Sequence, residues 1–298
     1  MKRFLLLTLS MSATCLLLLA VYFVLLPVGR IGDVYPRIVT PQQQSLVLGT
    51  SRAAQAINPT ILDSALAGIY APGIYNFSFH IDLSTYNEQY ARAIRLKLAP
   101  SDGRRNWFIL TVDPWALKAD LEETSDLQLR SVSRSPNLEY LFKHFRRNWL
   151  SPLPTHCFIS ERGRTEVDYK PHNERDRQRH IAQKLTTYEQ MVRKYSYSPA
   201  SESVLDSLIA DLLARGDIYL IRIPASKHIL QIENRVCPDF NERMTRLARR
   251  RNVPYLDFSS DTTFMTNDGN HLIQSEGDRF SRLLARTIRD VAQRQAKD

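Results

Sequence analysis

Two short stretches hold the residue types that do acyl chemistry: a serine just after an apolar run, and an aspartate shortly before a histidine far downstream. The first is Ser45-Leu46-Val47-Leu48-Gly49-Thr50-Ser51-Arg52-Ala53-Ala54. Its apolar run ends at Gly49, and Ala53, Ala54, Ile57, Leu62 and Leu66 continue with helical spacing. That order predicts a strand, a tight turn and a helix N-terminus, which lifts a serine hydroxyl out of a sheet beside unpaired backbone N–H groups. Such a serine is placed as a nucleophile, although Thr50 or Ser51 could equally serve as the helix cap. The second stretch is Thr266-Asn267-Asp268-Gly269-Asn270-His271-Leu272. Across its Gly-Asn turn the Asp268 carboxylate can hold the His271 imidazole in the tautomer that accepts a serine proton.

An early Gly-x-Ser after a strand and a late Asp-x-x-His before the last helix resemble the SGNH/GDSL hydrolase superfamily. The branch it looks most like is the membrane-tethered one that includes teichoic-acid D-alanyl transfer and alginate O-acetylation proteins. The resemblance covers approximately residue 45 to the end and implies Ser51 as nucleophile, His271 as general base and Asp268 as its orienter. The family's oxyanion-hole glycine and Gly-x-Asn-Asp block are not visible. At the corresponding strand ends stand Asn76-Phe77-Ser78 and Thr111-Val112-Asp113-Pro114. Asn76 and Ser78 are therefore the side-chain candidates for oxyanion donors. Arg52 is a candidate clamp for an anionic substrate group, with a solvent-facing position on the first helical turn as its alternative. Asp113 is expected to be structural or substrate-binding, since a carboxylate opposes a developing oxyanion, and Glu233 is a weaker candidate.

Composition sets the background. With 298 residues, 43% of them hydrophobic, the chain can bury a sizeable core. Its formal charge of +9 favours an anionic neighbourhood. Cys15, Cys157 and Cys237 form no Cys-x-x-Cys and no zinc-type ligand cluster, so neither a metal nor another cofactor is expected. Cys157 and Cys237 are left as a pair that an oxidising compartment could join.

The elements that must position the serine and histidine alternate along the chain. Residues 1–3 read as a cytoplasmic leader and 4–27 as an uncharged transmembrane signal anchor, long enough for a hydrocarbon core of roughly 30 Å. Residues 28–44, rich in proline and glutamine, read as an extended linker. Strands are expected at 45–48, Ile74–Phe79, Trp107–Val112, Ile218–Ile223 and Val253–Phe258. Helices are expected from Ser203, over Phe240–Arg251 and from Ser275. This is an α/β pattern, a three-layer α/β/α sandwich on a mainly parallel sheet. Residues from about 118 to 200 break the rhythm and read as an insertion that walls or covers the substrate. The topology exports residues 45–298 from a single-pass inner or plasma membrane anchor into the periplasm. No nucleic-acid partner is expected. The resulting expectation is a serine esterase or O-acyltransferase acting on acyl esters of an envelope polysaccharide or glycolipid, with a membrane acyl-donor protein as partner. The rival is an inactive module of the same shape that binds an anionic envelope polymer or a partner membrane protein.

Overall fold

A computed structural model describes residues 1–25, 34–119, 127–143, 157–167 and 173–295. The far end of the expected anchor, the start of the expected linker, and Arg146 and Arg147 of the expected insertion lie outside the described residues. In chain order the elements are α1 (Lys2–Leu25), α2 (Tyr35–Val39), β1 (Leu46–Leu48), α3 (Ser51–Ala56), α4 (Pro59–Ala65), β2 (Tyr75–Asn76), α5 (Glu88–Lys97) and β3 (Asn106–Thr111). Then come α6 (Leu138–Lys143), β4 (Cys157–Ile159), β5 (Thr165–Val167), α7 (Glu174–Lys194) and α8 (Pro199–Leu213). β6 (Gly216–Arg222), α9 (Lys227–Val236), α10 (Phe240–Arg251), β7 (Tyr255–Asp257) and α11 (Gln274–Gln295) follow.

Continuously apolar strands belong in a parallel sheet covered on both faces, and that is what forms. The sheet order is β2-β1-β3-β6-β7, with every pair parallel. Alternate residues separate the two layers. Leu46, Leu48, Phe108, Leu110 and Leu220 pack with α2, α5, α8 and α10, whereas Val47, Trp107, Ile109, Tyr219 and Ile221 pack with α3, α4 and α11. The chain reverses its winding direction between β1 and β3, and in open α/β sheets the crevice beyond the carboxyl ends of such strands receives ligands.

The linker reading is corrected over residues 35–39. Pro36 does not break structure there, because at the first turn of a helix its missing N–H would have had no partner. Tyr35, Ile38 and Val39 join the core, and the buried Lys97 ammonium donates to the carbonyls of Arg37, at 2.7 Å, and Thr40. β2 is shorter than expected. The Asn76 N–H turns to the Arg162 carbonyl on the β4–β5 hairpin, although Phe77 and Phe79 still donate to Val47 and Gly49. Within residues 118–200, that hairpin flanks β2, and α7 packs on α9 through Trp115, Tyr188, Ile229 and Ile232.

Cys157 and Cys237 form no disulfide. The sheet order explains this: Cys157 lies on the hairpin at the β2 edge, while Cys237 is buried with Phe240 and Met244 on α10, whose neighbours are α8 and the far edge strand β7. α1 is long and apolar enough to cross a membrane, and its spanning stretch, Lys2–Val21, buries nothing against the rest of the protein.

Candidate active site

Ser51 stands where β1 gives way to α3, two residues past Gly49. Gly49 adopts φ +142°, a conformation strained for any residue with a side chain, and a Cβ there would sit 1.8 Å from Thr111 Oγ1 on β3, so a substitution would have to displace the Thr111 side chain as well. The turn is thereby pressed against the sheet. Thr50 Oγ1 donates to Asp113 Oδ2 at 3.3 Å, tying the ends of β1 and β3 together. Ser51 itself is half-buried and opens α3.

His271 arrives from the loop before α11. Asp268 Oδ1 accepts the backbone N–H groups of Asn270, at 3.0 Å, and His271, at 2.8 Å, so the carboxylate shapes its own turn. Gly269, at φ +83°, completes it and accepts from the Ser226 N–H that begins α9. The imidazole then spans the site, with His271 Nδ1 2.8 Å from Asp268 Oδ2 and His271 Nε2 2.8 Å from Ser51 Oγ. An ionised carboxylate can only accept, so Nδ1 carries the proton and Nε2 offers its lone pair to the serine hydroxyl. Burial pushes the Asp268 carboxyl up, but the attraction and hydrogen bonds of His271, with Lys184 3.6 Å away, hold it well below the usual carboxylate range. It therefore stays charged wherever the imidazole can act.

A buried polar chain backs the histidine. Asn270 Nδ2 lies 3.2 Å from His271 Nε2, and Asn270 Oδ1 accepts from Arg52 Nε at 2.7 Å. Arg52 Nη2 donates to Glu233 Oε1 at 2.5 Å, and Arg222 Nη2 donates to Glu233 Oε2 at 2.8 Å. Arg52 is 3% exposed and Glu233 is fully buried. Desolvation alone would lower the Arg52 guanidinium, but Glu233 and Asp113 raise it, so it remains charged.

These contacts settle where the sequence candidates lie. Ser51, Asp268 and His271 meet. Arg52 is turned inward rather than toward solvent or a substrate anion. Asn76 Nδ2 donates to the carbonyls of Ala53 and Ile57, its Oδ1 takes the Ser78 N–H, and Ser78 Oγ donates to the Val47 carbonyl. Both residues are fully buried, and their hydrogen bonds serve the fold. Asp113 accepts from the N–H groups of Trp115 and Ala116 and pins the turn after β3. Burial pushes its carboxyl up, with Arg52 pulling the other way.

Sequence reasoning passed over Asn270, Arg222 and Lys184. Asn270 was inside the quoted motif, and its signal was adjacency to His271. Lys184 sits on α7 with His180, Gln183 and Thr187 at helical spacing. With Asn267 and Asp268 these four line a cleft of about 370 Å³ beside the carboxylate end of the triad. Among the described residues no cluster of His, Cys, Asp and Glu could hold a metal ion.

No protein-family model matches the chain, and no curated protein matches it. Among solved structures it is similar to an inhibitor-bound aryl esterase from M. smegmatis, at 11% identity and a TM-score of 0.42 over 83% of this chain and 98% of that one. It is also similar to a carbohydrate acetylesterase from Sinorhizobium meliloti, at 10% identity and a TM-score of 0.39 over 83% and 98%.

Proposed function

We propose that the protein is a membrane-anchored serine esterase or O-acyltransferase of SGNH type, working through an acyl-serine. The observation that carries this reading is the continuous Ser51–His271–Asp268 relay, with both links at 2.8 Å. Ser51 Oγ attacks the acyl carbon while its proton passes to His271 Nε2, and Asp268 stabilises the imidazolium through Nδ1–H. Collapse of the tetrahedral adduct expels the alcohol, which leaves with the proton from Nε2. Water, or the hydroxyl of an acceptor, then takes the acyl group from Ser51 by the same steps in reverse. The polar cleft between α7 and residues 267–268 suits a hydroxylated substrate, which favours an acylated envelope polysaccharide or glycolipid. In the transferase reading the proposed partner is a membrane protein that supplies the acyl group.

The test is pre-steady-state turnover of p-nitrophenyl acetate by the detergent-solubilised protein. A burst of p-nitrophenol close to one equivalent, followed by slower turnover, is the expected trace, because so activated an ester acylates Ser51 faster than water clears the acyl-serine. Failure to cleave this or any other short acyl ester would return the molecule to the binding-module reading.

The proposed placement outside the cytoplasm, with α1 as the anchor, has its own test. A reporter fused after Asp298 is expected to be active outside the cytoplasm, and the protein to stay with membranes after alkaline washing. Cytoplasmic reporter activity would remove the envelope substrate from the account.

A further inference from the structure

The relay contains a donor that the acid–base steps do not use. His271 Nε2 has one in-plane lone pair, and two donors converge on it: Ser51 Oγ at 2.8 Å and Asn270 Nδ2 at 3.2 Å. Which end of the Asn270 amide faces the imidazole is decided by its other partner. Arg52 Nε–H can only donate, so the atom it meets at 2.7 Å must be oxygen, and the NH2 end faces Nε2. Arg52 cannot rotate away, because Glu233 fixes its guanidinium from the far side and Arg222 fixes Glu233. Every member of this chain is buried, with Asn270 1% exposed and Arg222 3%.

Proton transfer changes what Asn270 can bond to. Once Nε2 has taken the serine proton it is itself a donor, and the Asn270 N–H beside it has lost its acceptor. In that same step the π pair of the acyl carbonyl moves onto oxygen, creating a strong acceptor on the carbon now bonded to Ser51 Oγ. A buried amide without an acceptor is costly, whereas one facing a new oxyanion is strongly favourable. The side chains expected to serve the oxyanion, Asn76 and Ser78, have their hydrogen bonds inside the fold.

We propose that Asn270 is a further catalytic residue, whose amide passes from His271 Nε2 to the oxyanion as the serine proton is transferred, and that Arg52 is the positioning residue that aims it. When the adduct collapses, the electron pair returns to the carbonyl, Nε2 gives its proton to the leaving alkoxide, and Asn270 returns to the vacated lone pair.

The inference rests on the serine esterase reading, and the experiment separates the two. Asn270→Asp keeps the oxygen that meets Arg52 and replaces the donor with an acceptor. On p-nitrophenyl acetate it is expected to lose about 10²–10³-fold in kcat with KM little changed, as removal of an oxyanion donor does. Phenylboronic acid, whose serine adduct carries the tetrahedral oxygen, is expected to lose affinity in parallel. Asn270→Ser, neutral and too short to reach Nε2, is expected to behave alike and serves if Asn270→Asp does not fold. Arg52→Lys, which gives up the Nε contact, should show a smaller loss that also falls on kcat. A folded Asn270→Asp or Asn270→Ser protein within threefold of wild-type kcat, a loss confined to KM, or unchanged boronate affinity would overturn the assignment while leaving the triad intact. A wild type that neither turns over esters nor binds the boronate would overturn the esterase reading, and this inference with it.

Discussion

Replacing Ser51 by alanine is expected to remove ester turnover almost completely, by about 10⁶-fold in kcat, with the fold unchanged. The hydroxyl is half-buried at the end of β1, and among the described residues only His271 Nε2 shares a hydrogen bond with it, so its loss costs chemistry rather than packing. His271→Ala is expected to lose a similar factor, since an alcohol at neutral pH has no other base within reach in this site. The double variant should be scarcely worse than either single change, because the two act as one unit. Asp268→Asn is different in kind. Its amide can donate to Nδ1, which imposes the wrong tautomer, and a loss of about 10⁴-fold is expected. Additive losses for Ser51 and His271, read from kcat of the purified variants, would mean that the 2.8 Å contact between them is not the working one.

The second large effect lies in stability. Glu233 is fully buried and bridges two buried arginines, so Glu233→Ala leaves Arg52 and Arg222 charged without their shared counter-ion. Loss of one member of a buried ionic network costs about 3–5 kcal/mol. That is a large part of the roughly 5–15 kcal/mol that holds a domain folded, so the variant is expected to melt far below the wild type or not to accumulate. The exposed pair Arg95–Asp211, also in direct contact at 2.8 Å, provides the comparison. Asp211→Ala is expected to change stability by less than about 0.5 kcal/mol, because water screens both partners. Equal shifts in melting temperature for Glu233→Ala and Asp211→Ala would show that burial is not what makes the Glu233 network matter.

The contrast between these two sites also explains what could be read before the structure. β1, β3, β6 and α10 were legible because each carries its own period and its own stop: Gly49 after β1, Asp113-Pro114 after β3, Pro224 after β6, and Asn252 in the left-handed conformation after α10. Asp268 and His271 were legible because the turn that joins them is local. Arg52 was not, since its partners Glu233 and Asn270 come from loops and helices about two hundred residues away, and nothing in its own neighbourhood distinguishes a buried arginine from an exposed one. α2 was hidden by Pro36, which breaks a helix interior but suits a first turn. α9 was missed although Ser226 caps it and Ile229, Ile232 and Val236 keep helical spacing. α7 was obscured because the apolar stripe of Ile181, Leu185, Tyr188 and Val192 runs through a mostly charged segment. The oxyanion candidates failed for a related reason: Asn76 and Ser78 stand at a strand end, as a donor would, but the α3 carbonyls and the neighbouring strand take their hydrogen bonds.

Whether Ser51 is a nucleophile activated by His271 is read by treating the membrane-bound protein with a fluorophosphonate and mapping the adduct by mass spectrometry. One phosphonylated serine, Ser51, is expected, with labelling abolished in Ser51→Ala and reduced by orders of magnitude in His271→Ala. No adduct on a protein that turns over esters, or an adduct on a serine other than Ser51, would contradict that role.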